Sequence, residues 1–121
     1  MAIQGELTPL DFDMRSGDDM PIRVTVKDED GSVVDITGAT IKFGLYNDRD
    51  DGTEVLVKTT QPTQILLIDA ANGVFDVLLL AADTESLAGI FYHETEIIDN
   101  TGNKKTVLIG WVNIIKDKVN A

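Results

Sequence analysis

Asn72-Gly-Val-Phe-Asp-Val-Leu-Leu-Leu80 and Gly89-Ile-Phe-Tyr-His-Glu-Thr-Glu-Ile-Ile98 are two apolar runs joined by the short break Ala81–Ala88 and closed by Asp99-Asn-Thr-Gly102. They read as two strands bounded by turns. Asn72-Gly73 and Asn100–Gly102 offer the left-handed backbone positions that tight reversals need, while Phe91, Tyr92, Thr95, Ile97 and Ile98 favour strands. In Val74–Leu80 apolar residues occupy both faces except at Asp76, the pattern of a central strand covered on both sides. Asp83-Thr-Glu-Ser-Leu87 fits about one helical turn with Asp83 as its N-cap and Gly89 as its end.

The same grammar extends in both directions. Towards the N-terminus, Phe12–Met14 predicts a short strand and Arg15-Ser-Gly-Asp-Asp19 a turn. Ile22, Val24 and Val26 alternate with Arg23, Thr25 and Lys27, the period of a sheet with one wet face. Asp28-Glu-Asp-Gly31 turns the chain into Ser32–Asp35, and Ile36-Thr-Gly-Ala39 bends it again. Ile41, Phe43 and Leu45 share a face of the next strand, with Lys42 opposite, before the polar loop Asn47–Thr53. Val55–Lys58 and Ile65–Ile68 are further strands around a segment holding Pro62. Beyond the central stretch, Val107, Leu108, Ile109, Trp111, Val112, Ile114 and Ile115 crowd both faces of Lys104–Lys116, and Gly110 suggests a bulge or bend there. Lys116–Ala121 is expected to fray. The reading is all-β: one sandwich domain of about eight short strands over residues 11–121, preceded by a flexible arm over residues 1–10.

Composition narrows the function classes. The chain has 121 residues, enough for one domain with a closed core, and it contains no cysteine, so disulfides, thiolate metal sites and cysteine nucleophiles are out. It is 43% hydrophobic with 26% charged residues, as expected of a folded domain. A net charge of −11 repels phosphate backbones and anionic membranes, which argues against nucleic-acid and membrane partners. The N-terminus reads as a mature start without a signal peptide, and the apolar runs are far shorter than the roughly 20 residues of a membrane helix.

The residues give no catalytic constellation. His93 is the single histidine and sits mid-strand, where a structural or surface role outweighs that of ligand or general base. Ser16, Ser32 and Ser86 are the serines available to a triad, and none lies in a nucleophile-elbow context. Asp28-Glu-Asp-Gly31 and Asn47-Asp-Arg-Asp-Asp-Gly52 have the composition of calcium loops, but Arg49 and Lys58 fall where ligands belong, so solvated turns are expected. Trp111, with Phe91 and Tyr92, has the makings of a sugar-stacking platform, yet a single tryptophan is expected to anchor the interface between the sheets. No catalytic, cofactor or metal residue is assigned, no cofactor is required, and the chain is not read as an enzyme.

The order of these turns resembles a known family. Arg15-Ser-Gly-Asp-Asp19, Ile22-Arg-Val-Thr-Val-Lys27, Asp30-Gly31, Val34-Asp-Ile-Thr-Gly-Ala39 and Ile41-Lys-Phe43 are followed by Ile68-Asp-Ala-Ala-Asn-Gly-Val74, Asp83-Thr84, Gly89-Ile-Phe-Tyr92, Ile97-Ile-Asp99 and Gly110-Trp-Val112. Together they are similar to small immunoglobulin-like modules of tailed-phage structural proteins, in particular the N-terminal domain of baseplate upper proteins, over about Arg15 to Val119. Asp19-Met20-Pro21 departs from the smoother approach to the strand in that module. The resemblance implies an immunoglobulin-like sandwich acting as a virion structural protein in the tail, baseplate or an accessory position. It implies contacts with other virion proteins, a homo-oligomeric state, synthesis in the host cytoplasm and a place in the virion. The alternative is a carbohydrate- or receptor-binding module whose end loops, with Asp28, Asp30, Asp48, Asp50 and a calcium ion, hold a glycan.

Overall fold

A computed structural model describes residues 8–50, 52–60 and 64–116. Its strands are β1 (Thr8–Pro9), β2 (Phe12–Arg15), β3 (Met20–Thr25), β4 (Thr40–Tyr46), β5 (Glu54–Thr59), β6 (Ile65–Asp69) and β7 (Val74–Leu79). The helical turn α1 (Ala81–Thr84) follows, then β8 (Gly89–Ile98) and β9 (Lys104–Ile115). They form two sheets. One is six-stranded, in the order β1-β9-β8-β4-β5 with β2 also on β9, and the other is three-stranded, in the order β3-β7-β6. If β3 to β9 are taken as strands B, C, C′, D, E, F and G, the sheets are B-E-D and G-F-C-C′, the arrangement of an immunoglobulin-like sandwich.

Period-2 patterning builds the core. Ile22 and Val24 from β3, and Phe75, Val77 and Leu79 from β7, face Ile41, Phe43 and Leu45 from β4 and Val112 and Ile114 from β9, all buried. The expected central strand is central in the smaller sheet: β7 pairs antiparallel with both β3 and β6. Its one acidic residue, Asp76, faces outward and is capped by its cross-strand neighbour. Arg23 donates from Nε and Nη2 to the two carboxylate oxygens at 2.8 and 3.0 Å. Gly73 (φ 75°) closes the turn into β7, and a Cβ there would sit 2.6 Å from the Val34 carbonyl oxygen. Pro21 lies on β3, an edge strand, where its missing N–H is tolerated.

Four expectations change. Residues 1–7 of the arm lie outside the described residues, as do Pro62 and residues 117–121. The end of the arm, however, is part of the sheet: Thr8 and Pro9 pair in parallel with Leu108 and Ile109. The helical turn starts before Asp83, which occupies its third position and accepts a hydrogen bond from the Leu80 N–H at 2.7 Å. Gly110 does not mark a bulge in the ladder with β8, since His93 faces Gly110 in unbroken register. The slip lies earlier, where Thr95 faces Leu108 and Glu96 faces Thr106, leaving Val107 as the extra residue. Val107 and Leu108 are therefore both buried, and every later residue of β9 is turned to the opposite face.

That turn of phase overrules the expectation for Trp111. Without the slip, the alternation from Val107 would carry residue 111 into the core; with it, Leu108, Val112 and Ile114 point inward and Trp111 points out, 38% exposed. The indole covers the outer face of the six-stranded sheet instead of joining the two sheets.

Candidate functional site

The N-terminal strand meets β9 at a built junction. β1 and β2 share one parallel register with β9, from Thr8 opposite Leu108 to Arg15 opposite Ile115, interrupted at Leu10 and Asp11. The Leu10 N–H donates to the Ile109 carbonyl at 2.8 Å, as a parallel ladder requires. The same ladder would give the Leu10 carbonyl to the Trp111 N–H. Instead His93 Nε2 donates to that carbonyl at 2.6 Å, and the Trp111 N–H donates to Asp11 Oδ1 at 2.9 Å. Gly110 makes this possible: a Cβ there would lie 1.8 Å from the Leu10 oxygen.

His93 is thus a structural side chain. It is fully buried, with its ring 5.4 Å from Phe12 and 5.8 Å from Phe43 between centroids. Nδ1 has no hydrogen-bond partner among the described residues, so the ring is neutral with its proton on Nε2. Burial pushes its pKa below the ordinary value, with the Leu10 carbonyl and Asp11 acting in the opposite direction. Among the described residues Leu10 engages its Nε2 and nothing engages its Nδ1, so no serine is set against that nitrogen. Ser16 is buried with its N–H on the Ile115 carbonyl, while Ser32 and Ser86 are exposed in turns.

The acidic turns are occupied by their own backbone. Asp28 Oδ1 accepts from the N–H groups of Asp30 and Ser32 at 2.9 and 3.0 Å, and Asp48 Oδ1 accepts from Asp50 at 2.9 Å. Asp99 does the same in the β8–β9 turn, accepting from the Thr101 hydroxyl and from the Thr101 and Asn103 N–H groups, and its carboxyl is held well below the usual carboxylate range. Among the described residues no three His, Asp or Glu side chains gather into a metal-ligand set.

What remains is the outer face of the six-stranded sheet. Of the three aromatics weighed as a platform, Phe91 is in the core, Tyr92 is outward but covered, and Trp111 is exposed. Tyr92 meets Trp111 edge-on at 5.4 Å and Tyr46 at 6.4 Å, giving an aromatic strip across β9, β8 and β4. Tyr46 and Tyr92 are raised in pKa, first by burial and then by neighbouring acids, Glu54 for Tyr46 and Glu94 for Tyr92, so both phenols stay protonated. At the Trp111 end a shallow concavity of about 450 Å³ is lined by Asp11, Phe12, Asp13, Ile90, Trp111 and Asn113. Ile90 is 64% exposed, the most of any large apolar side chain among the described residues, and Ile115 beyond Asn113 is also exposed. Sequence reasoning named Trp111 and Tyr92 but placed the indole between the sheets, because the slip at Val107 has no signature in residue type.

Among the described residues no helix is long and apolar enough to cross a membrane. Compared with models of known protein families and with curated proteins, the chain matches none.

Proposed function

We propose that this domain is a structural component of a tailed-bacteriophage or prophage particle, in the tail, baseplate or an accessory position, and that it works by protein–protein contacts without catalysis. Its partners are other virion proteins and further copies of itself. The observation that carries the reading is that Ile90, Trp111 and Ile115, three of the seven exposed large apolar side chains among the described residues, gather on one face of the six-stranded sheet. An exposed apolar cluster on a sheet face marks an interaction surface. The order of turns from Arg15 to Val112, similar to that of phage immunoglobulin-like modules, supplies the particle context. Open edges at β5 and β3 are available for contacts between copies.

The test is composition and assembly. In a strain that produces the particles, deleting the gene should leave particles arrested or lacking a substructure under negative stain, and the protein should co-sediment with intact particles. Infectious particles of parental composition from the deletion strain would overturn the reading.

A second reading, a carbohydrate-binding module, draws on the exposure of Trp111 beside Asp11, Asp13 and Asn113. It shifts the glycan from the end loops, where Asp28 and Asp48 bond their own turns, to the sheet face. Binding on a glycan array that persists with chelator and is lost in Trp111→Ala would favour it.

A further inference from the structure

The concavity beside Trp111 combines an exposed indole with two carboxylates, and neither Asp11 nor Asp13 joins an ion pair among the described residues. No basic side chain lines it. Arg15, further along β2, is exposed and likewise in no described ion pair. The Asp11 carboxylate is fixed in place, because one of its oxygens holds the Trp111 N–H at 2.9 Å. The geometry points to this concavity as the seat of an arginine side chain presented by a different protein, with the guanidinium stacked on Trp111 and bonded to Asp11 and Asp13.

The charge pattern selects that occupant. A guanidinium is planar, stacks on aromatic faces and bonds carboxylates in a two-pronged manner, so one side chain satisfies both features of the site. The apolar stem of arginine would lie along Ile90 and Phe12, which form the rest of the wall. A second copy of this chain is a poor fit. It carries the same net charge of −11, and two-fold packing through this face would bring the same acidic patch onto itself, which leaves contacts between copies to other surfaces. The partner is therefore a basic segment of another chain, and the inference rests on the assembly reading only for that partner being a particle protein.

Trp111 is the single tryptophan, so tryptophan emission, excited selectively over Tyr46 and Tyr92, reports on this site. The full chain is titrated at fixed ionic strength with the tripeptide acetyl-Gly-Arg-Gly-amide and with its citrulline counterpart, which has the same shape without the charge. The arginine peptide should shift the emission saturably and the citrulline peptide should not. Asp13→Asn should weaken the arginine response about twofold to fivefold, as for a partly exposed ion pair. Asp28→Asn changes net charge equally in a remote turn and should leave the response unchanged. Equal responses to the two peptides, or equal losses in the two variants, would overturn the inference. A response to cellohexaose with none to the arginine peptide would replace it with the glycan reading. Failure here in a protein that co-sediments with particles sinks the arginine site and leaves the assembly reading standing. Binding here by a protein absent from particles does the reverse.

Discussion

Gly110→Ala tests the junction that ties the N-terminal strand to the sandwich. In an open strand, alanine in place of glycine stabilises by roughly 0.5–1 kcal/mol, because glycine loses more backbone freedom on folding. Here the added Cβ would lie 1.8 Å from the Leu10 carbonyl oxygen and 2.6 Å from its carbon, where contacts below 3.0 Å essentially never occur. The obstacle is backbone, so Leu10 must retreat by at least about 1.2 Å, the difference between 3.0 and 1.8 Å. That breaks the 2.6 Å bond from His93 and strains the 2.8 Å bond to the Ile109 carbonyl. One hydrogen bond lost and one strained, at up to about 1 kcal/mol each, plus about 1–3 kcal/mol for a buried donor left on His93, less the roughly 0.5–1 kcal/mol that alanine gains in a strand, give a net loss of about 2–4.5 kcal/mol. Urea unfolding followed by far-UV circular dichroism should show a clearly lower midpoint, with proteolysis near Thr8–Arg15 accelerated under native conditions. Gly44→Ala is the control. Its nearest contacts would be the Tyr46 hydroxyl at 2.6 Å and ring carbons at 2.8 and 2.9 Å, a clash that a side-chain shift relieves without moving backbone, so its cost should be smaller than that of Gly110→Ala. A Gly110→Ala protein as stable as the parent, or more stable, would refute the junction as described.

Two further outcomes follow from the buried polar groups. Burial holds the folded-state pKa of His93 below its ordinary 6.5, so beneath that pH the unfolded chain takes a proton the folded chain refuses. Its contribution to stability is full above about 6.5 and falls as pH drops towards the folded pKa, by at most about 1.4 kcal/mol per pH unit. Urea midpoints at pH about 7.5 and about 5.5 should differ for the parent and less for His93→Gln, whose amide can still donate to Leu10; equal slopes would exclude His93 as the cause. The lowered carboxyls of Asp35 and Asp99 act below their ordinary 3.8 and stay outside this window. Lys58 is buried on the inner side of β5, with Nζ 2.6 Å from Asp83 Oδ2, pinning the edge strand to α1. Lys58→Met should cost about 1–3 kcal/mol by leaving Asp83 with the Leu80 N–H alone, and adding Asp83→Asn should recover part of that loss. Thermal melts of the single and double variants that simply add would refute the coupling.

Most of the secondary structure is legible because it rests on local physics. Ile22, Val24 and Val26 alternate with polar residues and are buried; Ile41, Phe43 and Leu45 do the same; Gly73 and Gly102 take the left-handed conformations expected of their turns. These are properties of a dozen residues at a time, and composition and period are enough to determine them. The sandwich class belongs to this level as well. The strand order belongs to the next. Nothing local says that β9 would accept β1 and β2 in parallel, or that β7 would lie between β3 and β6, because those pairings join residues from distant parts of the chain. The candidate site depends on the same non-local choices. A single extra residue at Val107 changes the phase of β9, which takes Trp111 from the core to the surface, and the parallel docking of Leu10–Asp13 then sets two carboxylates beside it. A side chain's face is inherited from the register of its whole strand, and register is decided by the partner strand, so the chemistry of this face exists only in the assembled fold.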